Sequence, residues 1–133
     1  MVNQLKHLTL LILLLCSFQL NLAANTPPIA EASDLKAALT HKLIEHISWK
    51  NENSIFTFKL GILGQDKKFQ QSLLNISKGR KLKQRKINIK VFDRLEDVKD
   101  VQALYLCNDQ AGDIHNVFSF IKNKNILLLT DQC

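Results

Sequence analysis

The sequence predicts an α/β fold: a three-layer sandwich with a mostly parallel sheet of four or more strands, in the order β-α-β-α-β-α-β after an N-terminal helix. Three observations carry this reading. Short apolar runs alternate with helix-patterned stretches along the whole chain. The connections between them are short, as right-handed crossovers allow. One run, Leu60 to Leu63, is apolar on both faces, which suits a strand covered by helices on either side.

The elements follow in order. Residues 1–24 read as a cleaved signal peptide. Lys6 and His7 give a short basic start, the apolar run Leu8 to Leu22 is too short to span a membrane well, and Leu22-Ala23-Ala24 offers the small residues of a cleavage site. Residues 25–32, with Pro27-Pro28, form an exposed leader, and residues 33–133 one modest domain. Ser33 or Asp34 caps a helix running to about Ser48, with Leu35, Leu39, Leu43 and Ile47, supported by Ala38 and Ile44, as its buried face. Ile55 to Leu63 is a strand, Gly64 turns the chain, and Asp66 caps a helix to about Ile76 carrying Phe69, Leu73 and Leu74. Ile87 to Phe92 alternates as a second strand, and Arg94 to Lys99 suits a short helix. Val101 to Cys107 is a third strand, Ala111 to Lys122 a helix, and Ile126 to Thr130 a fourth strand, after which the sequence stops at Cys133 as though in mid-fold.

Charge and cysteines narrow the chemistry. The formal net charge is +6, and Lys78, Arg80, Lys81, Lys83, Arg85, Lys86 and Lys90 concentrate it in one segment. Nucleic acid is an unsuitable partner, because the chain is exported and no aromatic residue interleaves these cations for base stacking. The plainer reading is a solvated loop; the functional one is a contact surface for an acidic partner or an anionic membrane surface. Cys16 leaves with the signal, so Cys107 and Cys133 remain in a compartment that permits disulfides. Each ends a strand, so a bridge between them is geometrically open if those strands are parallel neighbours. Closing that loop stabilises by roughly 3–4 kcal/mol in the chain-entropy picture. Pairing of Cys133 with a cysteine beyond it is the other arrangement.

Catalytic and cofactor signals are weak. Ligands of open α/β sheets bind outside the strand C-termini, where this chain places Gly64-Gln65-Asp66, Asp93-Arg94, Cys107-Asn108-Asp109 and Asp131-Gln132-Cys133. That edge is polar, yet Gly61-x-x-Gly64 has neither dinucleotide spacing nor a Walker lysine, so no cofactor is expected. His41 and His46 lie roughly 140° apart on their helix and do not converge on a metal. Cys107 and His115 have no orienting carboxylate nearby in sequence, and no Gly-x-Ser-x-Gly elbow occurs. Residues alone therefore give an exported α/β domain that is not an enzyme.

Several strings resemble the YfiR family of bacterial periplasmic proteins. Members begin with a helix of the approximate form Lys-Ala-Ala-Phe-x-Tyr-x-Phe-x-x-Phe-x-x-Trp-Pro; here Lys36, Ala37, Ala38 and Trp49 match, with Leu39, His41, Leu43, His46 and Lys50 at the other positions. Gly61-Ile62-Leu63-Gly64-Gln65-Asp66-Lys67-Lys68-Phe69 is similar to the family's first strand and turn. Ile87 to Phe92, Leu95-Glu96-Asp97, Ala103 to Leu106 and Leu127 to Asp131 resemble its later elements in order and spacing. Members usually continue past this Asp into a Gly-rich loop and a hairpin, and often carry a cysteine before the third strand, whereas Cys107 follows it.

The resemblance implies a periplasmic regulatory domain that binds and represses a membrane signalling protein, a diguanylate cyclase, under redox or envelope control. Trp49, Lys81, Lys83 and Arg85 are then the candidate partner surface, and Cys107 and Cys133 the candidate redox staple. A homodimer is left open. Two alternatives stand beside it: the N-terminal sensory domain of a longer membrane histidine kinase, and an exported protein that binds a small solute at the strand C-terminal edge.

Overall fold

The computed structural model describes residues 31–131, together with Val2 and Asn3. The rest of the expected signal peptide, most of the leader and Cys133 lie outside the described residues. Within them, α1 (Ala32–His46) leads through a single 3-10 turn (Glu52–Ser54) to β1 (Thr57–Leu63), α2 (Lys67–Gly79) and β2 (Lys86–Phe92). A second 3-10 turn (Leu95–Asp97), β3 (Ala103–Leu106), a 3-10 segment (Asn108–Asp113), α3 (Ile114–Ile121) and β4 (Leu127–Thr130) follow. The sheet is four-stranded and wholly parallel, in the order β2-β1-β3-β4. The three-layer α/β expectation holds.

Alternation along the strands divides the interior in two. Phe58, Leu60 and Ile62 of β1, with Ala103 and Tyr105 of β3, face α1 and α2, where they meet Ala37, Ile44, Phe69 and Leu73. Leu63, Leu104 and Leu106 face the opposite layer, against Val117 and Ile121 of α3 and Val98 and Val101 of the preceding loop. Gly61 sits where a side chain would press on Leu104 and Phe92, at 3.0 and 3.1 Å, so its smallness lets β1 lie flat under that layer.

Three expectations need correction. The stripe Leu35, Leu39, Leu43 and Ile47 is exposed, not buried; Ala37, Thr40, His41 and Ile44 turn inward instead. Directional polar ties set this rotation: Ser72 donates to the Asp34 carboxylate at 2.6 Å and Lys36 reaches down to Asp66 at 3.1 Å. Second, neither Ser33 nor Asp34 caps α1, which starts after Glu31 without a side-chain cap and ends at His46. Third, residues 94–99 and the start of the expected Ala111–Lys122 helix tighten into 3-10 turns, leaving α3 as two turns of α-helix. Asp66, by contrast, does cap α2, accepting from the Phe69 amide at 3.0 Å.

The basic segment is more structured than a solvated loop. Leu82 and Arg85 exchange two backbone hydrogen bonds of 2.9 Å around Lys83 and Gln84, whose φ values of 48° and 68° make a two-residue reversal of the I′ kind. The reversal drives Leu82 into the core, where it is 1% exposed.

Candidate functional site

Because β2 and β3 flank β1 on opposite sides, the chain reverses its winding at the β1/β3 boundary, where an open α/β sheet usually holds its ligand. Here that crevice is filled by the chain itself. Gly64 leaves β1 at φ 102° and lies against the following loop, so that a Cβ there would overlap the Asp109 carboxylate and come within 2.9 Å of Gln110 and 3.0 Å of Cys107. Both Asp109 oxygens accept from the Gln65 amide at 3.1 Å, and the Gln65 side chain donates to Asp93 at 2.6 Å. The polar edge read from the sequence is real, and its groups largely satisfy one another.

One charged cluster stands beside it. Lys36 rises from α1 to pair with Asp66 at 3.1 Å and Asp131 at 2.7 Å, joining α1 to the ends of β1 and β4. Its ammonium also lies over the Phe69 and Tyr105 rings, at 5.3 and 5.9 Å from their centroids. Burial opposes the charge on Lys36, but hydrogen bonds to Asp131 and Asp66 outweigh it and hold the ammonium well above the ordinary lysine range. Asp66 is partly buried too, yet the Phe69 amide and Lys36 keep its carboxyl below the usual range. Burial pushes the Tyr105 phenol upward, and its hydroxyl is buried without a hydrogen bond among the described residues. The family motif singled out Lys36 as a matching position, but the sequence reading gave it no role at the site.

The partner-surface candidates divide. Trp49 is 6% exposed, packed edge-on to Phe58 at 5.0 Å, with its indole N–H donating to the Gln102 carbonyl at 3.0 Å. Lys83 pairs with Glu52 at 2.9 Å, lies over the Trp49 ring and donates to the Ile47 carbonyl. Arg85 donates to the carbonyls of Ile55 and Glu52. These three side chains therefore secure the 49–55 loop. Lys81 is exposed and lines an open groove of about 290 Å³ with Lys78, Arg80 and Lys86.

Cys107 is a free thiol, 2% exposed. Burial, reinforced by Asp109 and Asp66, pushes it up to about 11, the reverse of an activated thiolate. β3 and β4 are parallel neighbours with Leu106 opposite Thr130, so Cys107 stands level with Asp131. His115 is exposed on α3. Among the described residues no group of three or more His, Cys, Asp or Glu side chains could hold a metal, and no helix is long and apolar enough to cross a membrane.

A family profile described as YfiR/HmsC-like matches residues 33–133. The chain belongs to this family. No curated protein and no solved structure matches it. Membership makes it a regulatory domain of the periplasmic YfiR type.

Proposed function

We propose that this YfiR-like domain represses a membrane signalling protein, a diguanylate cyclase, by binding its periplasmic part. The family match across residues 33–133 carries the reading. Two features of the fold support it: the crevice at the sheet's reversal point is filled by Asp109, and Lys78, Arg80, Lys81 and Lys86 stand free of ion pairs among the described residues around one groove. Lys81 with these neighbours is the contact we assign to an acidic partner surface, while Trp49, Lys83 and Arg85 act by holding the adjoining loop in place. Cys107 and Cys133 form the redox-sensitive element, Cys107 supplying a buried thiol beside the end of β4.

Deleting the gene in its host and measuring cyclic-di-GMP tests this. Repression predicts a rise that the wild-type chain reverses and a Lys78, Arg80, Lys81 and Lys86 to Ala variant reverses poorly, with binding to the cyclase domain losing its salt dependence. An unchanged nucleotide level after deletion sinks the reading.

A further inference from the structure

The four strands run parallel, so the loops that enter β1, β3 and β4 meet at one edge of the sheet, opposite the crevice that Asp109 fills. There the segments Trp49 to Ile55, Asp100 to Gln102 and Lys124 to Ile126 enclose an open cleft of about 340 Å³. A second cleft of about 270 Å³, bordered by Phe56, Thr57 and Lys59, adjoins it across Ser54, Ile55, Asp100 and Gln102. Each lies near the smaller end of the size range of small-molecule sites, and two adjoining lobes suit a chain of repeating units. We propose that this groove binds a neutral oligosaccharide. Its wall is fixed in advance. Glu52 accepts from the Trp49 amide at 3.3 Å and pairs with Lys83, Arg85 donates to the Ile55 and Glu52 carbonyls, and the Trp49 indole is tied to Gln102. The Gln102 side chain in turn accepts from the Lys59 amide at 2.7 Å. The clamp made by Lys83 and Arg85 therefore presets a binding wall, which a ligand meets without the cost of ordering a loop.

The uncommitted side chains of the groove select the ligand. Asn51 stands at the N-terminal end of the 3-10 turn Glu52–Ser54, where an asparagine usually caps, yet it makes no capping bond. Ser54 and Asn125 are likewise exposed and, among the described residues, make no side-chain hydrogen bond. Each of these three groups both donates and accepts, which matches hydroxyl and acetamido groups. The nearby charges are already engaged: Asp100 pairs with Lys59, and the Lys124 ammonium lies over the Phe120 ring. An anionic ligand would meet Asp100 and a cationic one Lys124, so an uncharged ligand fits both. Ile55, Val101 and Ile126 add apolar surface, and Phe56, 91% exposed at the rim, offers a ring to the C–H face of a sugar. Asp100 also holds a left-handed φ of 56°, a conformation uncommon outside glycine that clusters at functional sites.

Titration of the purified full chain with triacetylchitotriose, cellotriose and maltotriose, up to about 20 mM each, tests this through amide chemical shifts and Trp49 fluorescence. At least one sugar should saturate, with a dissociation constant of order 0.1–1 mM as an open, wet groove allows. The shifted amides should be those of Asn51 to Phe56 and Asp100 to Gln102. Asn51→Ala with Asn125→Ala should weaken binding about tenfold and Phe56→Ala several-fold, while an unchanged urea midpoint shows that the fold survives. Lys81→Ala should leave sugar binding intact, which separates this groove from the contact assigned to an acidic partner. Saturation by none of the three sugars overturns the proposal, as does binding indifferent to the Asn51 and Asn125 changes. Tighter binding of free alanine than of any sugar, lost on Asp100→Asn, overturns it in favour of a zwitterion held between Asp100 and Lys124.

Discussion

Gly64→Ala isolates the device that closes the crevice. The perturbation adds one methyl group where the backbone sits at φ 102° and where the Asp109 carboxylate occupies the space a Cβ needs. The left-handed conformation costs a non-glycine residue about 1–2 kcal/mol. Displacing Asp109 also breaks its solvent-exposed hydrogen bond from the Gln65 amide, worth about 1 kcal/mol. The expected loss is therefore about 2–3 kcal/mol, a fall in Tm of roughly 10–20 °C for a domain this size. Urea titration followed by the fluorescence of Trp49, the sole tryptophan and a buried one, measures it directly. The diagnostic step is the double-mutant cycle with Asp109→Ala. Removing the carboxylate relieves the overlap but not the strain, so the cost of Gly64→Ala should drop to about 1–2 kcal/mol in that background. A cost under about 0.5 kcal/mol, or one identical in both backgrounds, would refute the claim that Asp109 plugs this crevice.

Other outcomes follow from particular residues. His41 is held below its ordinary 6.5, first by burial and then by Arg80 and Lys42, against the opposing pull of Glu45, with its Nε2 buried unpaired. Its depressed value means the unfolded chain takes up the proton first, so stability should fall as pH drops below about 6.5; His41→Phe should flatten that limb of a urea-midpoint-versus-pH profile. Lys36→Met should cost about 1.5–3 kcal/mol at pH 7, and the deficit should shrink as pH falls through the range where Asp66 protonates, as denaturation of both proteins at pH 7 and pH 3 will reveal. Gln84→Gly, at φ 68°, should raise stability by about 1 kcal/mol, read as a higher urea midpoint. In a Cys133→Ser background, native Cys107 should react with iodoacetamide far more slowly than in urea, since burial both shields the thiol and keeps it protonated.

The strands were legible because parallel, doubly covered strands leave a signal that survives without context. Leu60-Gly61-Ile62-Leu63 and Ala103 to Leu106 are apolar throughout and are indeed buried on both sides. Helix α1 was legible in its existence but not in its rotation. Hydropathy ranks Leu35, Leu39 and Leu43 as the inner face, yet Thr40 and His41 lie inward, because Ser72 to Asp34 and Lys36 to Asp66 are directional contacts with residues some thirty or more positions away. The basic segment misled for a related reason. Composition suggests a solvated loop leading from Lys78 into the strand at Ile87, while the reversal at Lys83 and Gln84 uses no glycine or asparagine, so the usual turn signal is missing. Lys83 and Arg85 became structural only because the Glu52 carboxylate and the carbonyls of Ile47, Glu52 and Ile55 lie within their reach.

The filled crevice and the two outward surfaces bear on function together. In a parallel sheet the reversal point is where backbone amides converge without partners, which is why ligands collect there. This chain assigns Asp109 to the Gln65 amide and Asp66 to the first turn of α2, and then neutralises Asp66 and Asp131 with Lys36. Carboxylates of its own thus stand where a bound anion would otherwise be attracted. Two exposed features are of another kind: the cationic groove around Lys81 and the leucine ridge of α1, each open to solvent and each better suited to another macromolecule's surface than to a small solute. If Gly64→Ala together with Asp109→Ala opened the crevice without altering repression, while Lys81→Ala and its neighbours abolished it, regulation would be placed on the surface and the sheet edge would be reduced to a structural seal.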